Sequence, residues 1–284
     1  MGFALPCILR TLACYWGAGV DESTFFKDHW VTIEPEKLAY FDSFFDLPEP
    51  VMDMLLAPLA LTGGDVAIDL GCGPGYLTAA MARLVGENGH VYGLDVNGEF
   101  LARAVGNAEA RGVGEVCSFQ VAEDDLLPFG GATIDALFAK NVFEYVPDVG
   151  RSLGEAHRVL RSGGRMTAIC SDYGFYVAEP LSPTEVRELF DAAAPAFRDP
   201  FIGRRLRQAM RTAGFGDVQT TIIAMPDLTG ALRGVLGNML THALEFGRMS
   251  RVRVEEIRDR LDHALADGSY MVIQPVFVCT GTRQ

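Results

Sequence analysis

Residues 66–76, read as Val66-Ala67-Ile68-Asp69-Leu70-Gly71-Cys72-Gly73-Pro74-Gly75-Tyr76, constrain the fold more than any other stretch. An apolar, β-rich pentad runs straight into a glycine-rich turn, and a helix pattern follows. A strand that ends in such a turn and feeds a helix opens a crossover between parallel strands. The alternation repeats downstream. Residues 76–84 carry Leu77, Ala80, Met81 and Leu84 at helical spacing. Residues 91–94 predict a second strand, 99–110 a second helix, and 117–121 and 134–139 two more strands. Residues 150–160 predict a helix closed by Gly163-Gly164 as its C-cap, and 165–170 a fifth strand. Beyond these, 204–213 reads as a helix, 217–223 as a strand, and 270–278 as a last strand that Pro275 assigns to an edge or a bulge. Between those two strands, 228–267 holds two helical patterns and reads as an insertion over one edge of the sheet.

The chain has 284 residues, 49% hydrophobic and 21% charged, which excludes disorder, collagen and coiled coil. Its net charge of -13 repels polyanions, so nucleic acid is not expected as a partner. No apolar run reaches the roughly 20 residues of a membrane helix. The best candidate, residues 2–20, is broken by Pro6 and Arg10 and lacks the basic start of a secretory signal. Six scattered cysteines form no C-x-x-C pair, so neither a metal site nor a disulfide framework is expected, and reduced thiols of a cytoplasmic protein are.

The turn favours one kind of ligand over two common ones. A dinucleotide fingerprint needs its third glycine at position 76, where Tyr76 stands, and a phosphate loop needs a lysine that is absent. Pro74 removes an N–H from any phosphate cradle, and Asp69 puts a carboxylate at the strand tip. A ligand with a cationic end suits this loop.

Asp69-Leu70-Gly71-Cys72-Gly73-Pro74-Gly75 resembles motif I (D-x-G-C-G-P-G) of the class I S-adenosylmethionine-dependent methyltransferases. The resemblance implies that Asp69, Gly71, Cys72 and Gly73 hold the methionyl part of the cofactor. Asp95 follows Gly71 by 24 positions at the end of the second strand, where a ribose-binding carboxylate is expected; Val96 then offers an apolar surface to adenine. Residues 122–129, Ala-Glu-Asp-Asp-Leu-Leu-Pro-Phe, resemble the family's G-D-A-x-x-L-P-F stretch, and either Glu123 or Asp124 takes the place of the adenine-contacting acid. Residues 141–148 are similar to N-V-L-E-H-V-P-D, with Asn141 on the cofactor side, and 155–164 to E-x-x-R-V-L-K-P-G-G. Together these segments cover residues 65–171. The implied fold is an α/β Rossmann-like, doubly wound, mostly parallel sheet, with residues 1–50 as an N-terminal helical aromatic cap or lid. Residues 51–284 form the cofactor-binding domain, with the helical insertion at about 226–268.

Methyl transfer from a sulfonium is an in-line displacement that alignment alone can accelerate, and aromatic faces stabilise the cation. Tyr15, Trp16, Phe25, Phe26, Trp30, Tyr40, Phe41, Phe44 and Phe45 crowd into 31 positions. They fill a core or roof a ligand, and the two roles are compatible. Tyr173 and Tyr176, in the loop after the fifth strand, are the substrate-facing candidates, each also readable as a packed tyrosine. Tyr145 replaces the histidine common in relatives, and His29 beside Trp30 is the best-placed base. His157 reads as structural. Arg204, Arg207 and Arg211, and separately Arg248, Arg251 and Arg253, read as solvated faces or as a clamp for an anionic substrate. The expected activity is methyl transfer to a small-molecule O, N or C acceptor. A displacement within the cofactor itself, such as cyclisation, and a non-catalytic cofactor-binding scaffold are the alternatives.

Overall fold

The computed structural model describes residues 21–33, 38, 41, 45–122 and 126–284. Its backbone is a seven-stranded sheet built of β1 (Val66–Leu70), β2 (His90–Asp95), β3 (Cys117–Val121), β4 (Ile134–Lys140), β5 (Leu160–Ser171), β7 (Phe215–Ile223) and β10 (Val276–Arg283). The spatial order is β3-β2-β1-β4-β5-β10-β7. β1 pairs in parallel with β2 and β4, and only β10 runs antiparallel, between β5 and β7. Because β1 is followed by β2 on one side and β4 lies on the other, the chain reverses its winding direction beside β1. Open α/β sheets bind ligands at that point, beyond the strands' carboxyl ends.

Period-2 alternation sends the strands' side chains to two apolar layers. Ile68, Leu137, Ala139 and Ala168 face one way with Leu153 and Leu206. Ala67, Ala136, Phe138 and Ile169 face the other, against α2 (Glu49–Leu56) and α3 (Tyr76–Val85) through Leu55, Leu56 and Met81. A third core lies apart from the sheet. It joins α6 (Pro183–Ala193), α8 (Arg233–Glu245) and α9 (Arg251–Asp267) to a three-stranded sheet of β6 (Val177–Glu179), β8 (Pro226–Asp227) and β9 (Met271–Ile273).

Two expectations are corrected. The helix α5 (Val149–Val159) stops without a glycine cap: Leu160 is already extended and begins β5. Gly163 (φ +77°) and Gly164 instead make a bulge, where pairing jumps from Ile134–Leu160 to Ala136–Arg165. Pro275 marks neither an edge nor a bulge; it sits at the step where the chain leaves β9 in the small sheet and enters β10, which is paired on both sides. A proline, having no N–H for a ladder, fits that gap. No helix among the described residues is long and apolar enough to cross a membrane.

Candidate functional site

The glycine turn between β1 and α3 holds its shape by conformations that side chains resist. Gly71 has φ +71°, and a Cβ there would collide with Val142 Cγ2. Gly73 has φ +52°, and among the described residues a Cβ there would meet nothing closer than Phe45 Cδ2 at 4.0 Å. The turn is thus closed toward β4 and open toward a ligand. Cys72 is buried, and burial beside Asp69 raises its thiol well above the usual range, which leaves it unreactive.

Two carboxylates flank the turn. Asp69 is 2% exposed, accepts from Thr78 Oγ1 at 2.6 Å, and is pushed up to about 7 by burial, with Asp95 adding repulsion. Asp95 accepts from the Gly73 N–H at 2.8 Å and the Asn97 N–H at 2.9 Å, and burial raises it too. Each oxygen retains a second lone pair for a ligand. Val96 is exposed next to Asp95. Asn141 takes a left-handed conformation (φ +56°) while donating its N–H to Ile169 O at 2.8 Å, and its buried Oδ1 has no partner. An orphaned acceptor, one buried and one half-buried carboxylate and an open glycine face fit a ligand with an ammonium and hydroxyls. Glu123 and Asp124 lie outside the described residues.

The four residues singled out for the acceptor side come together. His29, on α1 (Phe25–Val31), lies 5.8 Å from the Tyr145 ring, and the Tyr145 and Tyr173 rings both pack on Phe197, at 5.5 and 4.3 Å. Tyr173 stacks on Tyr176 at 5.9 Å. Burial raises all three phenols far above neutrality, so they orient rather than accept protons. His29 Nδ1 lies 2.5 Å from the Phe25 carbonyl oxygen, which can only accept; Nδ1 therefore carries a proton. Trp30 caps Tyr145 edge-on at 5.3 Å, and its backbone oxygen accepts from Asn97 Nδ2 at 2.9 Å, tying the aromatic cap to the residue that ligates Asp95. Tyr15, Trp16, Tyr40 and Phe44 of the aromatic stretch lie outside the described residues.

Sequence reasoning missed Lys140, Glu144 and His242. Glu144 is fully buried, takes the Ser171 N–H on Oε1 at 2.7 Å, has an unpartnered Oε2, and is pushed up to about 7 by burial. It stands inside the quoted 141–148 segment, where a buried glutamate between apolar residues was a visible signal. His242 comes from α8 and meets His29 edge-on at 5.5 Å; nothing local in its sequence marks it. Of the arginine clusters, Arg204 is held by Asp172 at 2.5 Å, Arg248 by Glu22 at 2.7 Å and Arg253 by Glu185 at 2.8 Å, so internal carboxylates take these three.

Residues 61–199 match a family model described as a methyltransferase domain. A 37.1 kDa protein in a transposon of Streptomyces fradiae is 29% identical over 64% of this chain and 52% of its own length. A ubiquinone/menaquinone biosynthesis C-methyltransferase of Klebsiella pneumoniae is 34% identical over 42% of this chain and 47% of its own. The chain thus spans about half the length of these relatives. The YcgJ protein of Bacillus subtilis shares the fold, with a TM-score of 0.59 at 17% identity over 84% of this chain and 99% of that one. The motif order, the sheet topology and the methyltransferase domain matched over residues 61–199 agree, and together they support a class I S-adenosylmethionine-dependent methyltransferase.

Proposed function

We propose that this chain transfers a methyl group from S-adenosylmethionine to a small-molecule acceptor. The observation that carries the reading is the pair of carboxylates, buried Asp69 and half-buried Asp95, on either side of a turn whose face at Gly73 has no described atom closer than 4.0 Å. When bound, the cofactor supplies an electrophilic methyl on a sulfonium. Asp69 and Asn141 Oδ1 would hold its ammonium, Asp95 its ribose hydroxyls and Val96 its adenine, and Glu123 or Asp124, outside the described residues, would take the adenine amino group. Gly71 and Cys72 complete the turn. Of the lid proposed for residues 1–50, the described α1 meets residues 51–284 through His29 and Trp30, and the insertion at 226–268 walls the acceptor through His242.

On the acceptor side, Trp30, Tyr145, Phe197 and Tyr173 present aromatic faces that exclude water and favour a cation. Positioning the acceptor about 3–3.5 Å from the methyl is the main catalytic contribution. His29, whose Nδ1 is protonated, offers Nε2 for an acceptor proton. The Klebsiella relative's name, a C-methyltransferase, supports methyl transfer over displacement within the cofactor. Incubating the protein with the cofactor and fractionated small metabolites tests the reading: S-adenosylhomocysteine should accumulate together with a methylated product. Methylthioadenosine in its place would refute methyl transfer.

A further inference from the structure

Lys140 ends β4 one step past the Leu70–Ala139 pair, beside the start of the glycine turn. Strand alternation puts it on the face of Phe138, the neighbour of Asp69. It is partly buried, and among the described residues its ammonium makes no ion pair or hydrogen bond. Neither of the two carboxylates that influence it is bonded to it: Asp69 Oδ2 accepts from Thr78 and Glu144 Oε1 from the Ser171 N–H, while Glu144 Oε2 stays unpartnered. Its Nζ stands 5.9 Å from the centre of the Phe45 ring, the same ring that is the nearest neighbour of the open Gly73 face. The next residue is Asn141, with its orphaned Oδ1. Among the described residues this corner therefore offers a cation that faces an aromatic ring and pairs with no anion, an acceptor without a partner, and a glycine face with no atom closer than 4.0 Å. A desolvated ammonium is costly unless something anionic meets it. An α-amino-acid head, with an ammonium and a carboxylate on one carbon, complements all three.

We propose that Lys140 binds the carboxylate of the cofactor's amino-acid head, opposite Asn141 and Asp69 on its ammonium; this assignment rests on the cofactor reading above. The competing role for Lys140, balancing the charge of Asp69 and Glu144, needs no ligand carboxylate. Titration calorimetry of the full chain with S-adenosylmethionine and with decarboxylated S-adenosylmethionine separates the two. The wild type should prefer the intact cofactor by about 10–100-fold, the range of a charge-assisted contact. Lys140→Met should abolish that preference, weakening the intact cofactor while leaving the decarboxylated one within about twofold. Equal affinity of the wild type for both ligands, or a Lys140→Met variant that weakens both alike or neither, overturns the assignment. A wild type that binds neither ligand overturns the cofactor reading itself, a distinct result.

Discussion

The cofactor half and the acceptor half of this molecule are built by different rules. Around Asp69 and Asp95, short-range geometry sets the frame: positive-φ glycines, strand tips and helix starts within residues 66–97, completed by Asn141 and Val142 after β4. Around Tyr145 and Tyr173, contacts join residues far apart in the chain. His29 meets His242, and Tyr270 buries in one core with Tyr173. A local motif tolerates little change in backbone, whereas a packed assembly of distant pieces tolerates any change that keeps its volume.

The largest test of that contrast sets Gly71→Val against Leu240→Ala. A valine at 71 needs a strained φ and collides with Val142. Cofactor affinity should fall below detection while circular dichroism still reports a folded sheet. Leu240 is fully buried in the third core, where α6 packs on α8. Its truncation should cost about 2–5 kcal/mol of stability yet leave cofactor affinity within about twofold. Chemical denaturation and cofactor titration of both variants measure this. Equal loss of cofactor binding in the two would show that the halves are not separable.

The contrast also explains what was legible in the sequence. The strands β1 to β4, and the places of Asp69, Asp95 and the glycines at the turn, follow from spacing because hydrogen bonding and φ are local. Gly163-Gly164 misled because two glycines end a helix or bulge a strand equally well, and the register against β4 decides. Pro275 misled because one apolar run serves two sheets. In the small sheet, β6 and β8 left no pattern, since they have three and two residues. Lys140 and His242 acquire their surroundings only from tertiary packing.

A test of intermediate size uses pH. Burial holds Asp69 and Glu144 at about 7, above their ordinary values of 3.8 and 4.5. Below about pH 4 both states of the protein bind these protons and nothing is lost. As pH rises from about 4 through 7 the unfolded chain releases protons that the folded one keeps, so stability falls, by roughly 4 kcal/mol for Asp69 alone. Asp69→Asn should flatten about half of that slope in urea melts of the ligand-free protein. On the cofactor reading, an ammonium beside Asp69 favours its charged form, so cofactor affinity should rise with pH through 7. An unchanged slope in Asp69→Asn would mean that its carboxyl is solvated.

The smallest effect is expected at Tyr176, and it sharpens the contrast most. The Tyr176 ring packs on Phe190 at 4.5 Å and stacks on Tyr173, but its buried hydroxyl has no hydrogen-bond partner. A buried, unpaired hydroxyl costs about 1–3 kcal/mol. Tyr176→Phe keeps the ring contacts and removes that cost, so it should leave stability unchanged or raise it by about 1 kcal/mol, read from the midpoint of a denaturant melt. In the cofactor half, by contrast, the orphaned Asn141 Oδ1 faces the proposed ligand, and its loss should weaken binding rather than stabilise the fold. A loss of stability in Tyr176→Phe would mean that the hydroxyl is satisfied in solution. The acceptor half would then rest on specific polar contacts as the glycine turn does, and the difference in rules would fail where it is most exposed to test.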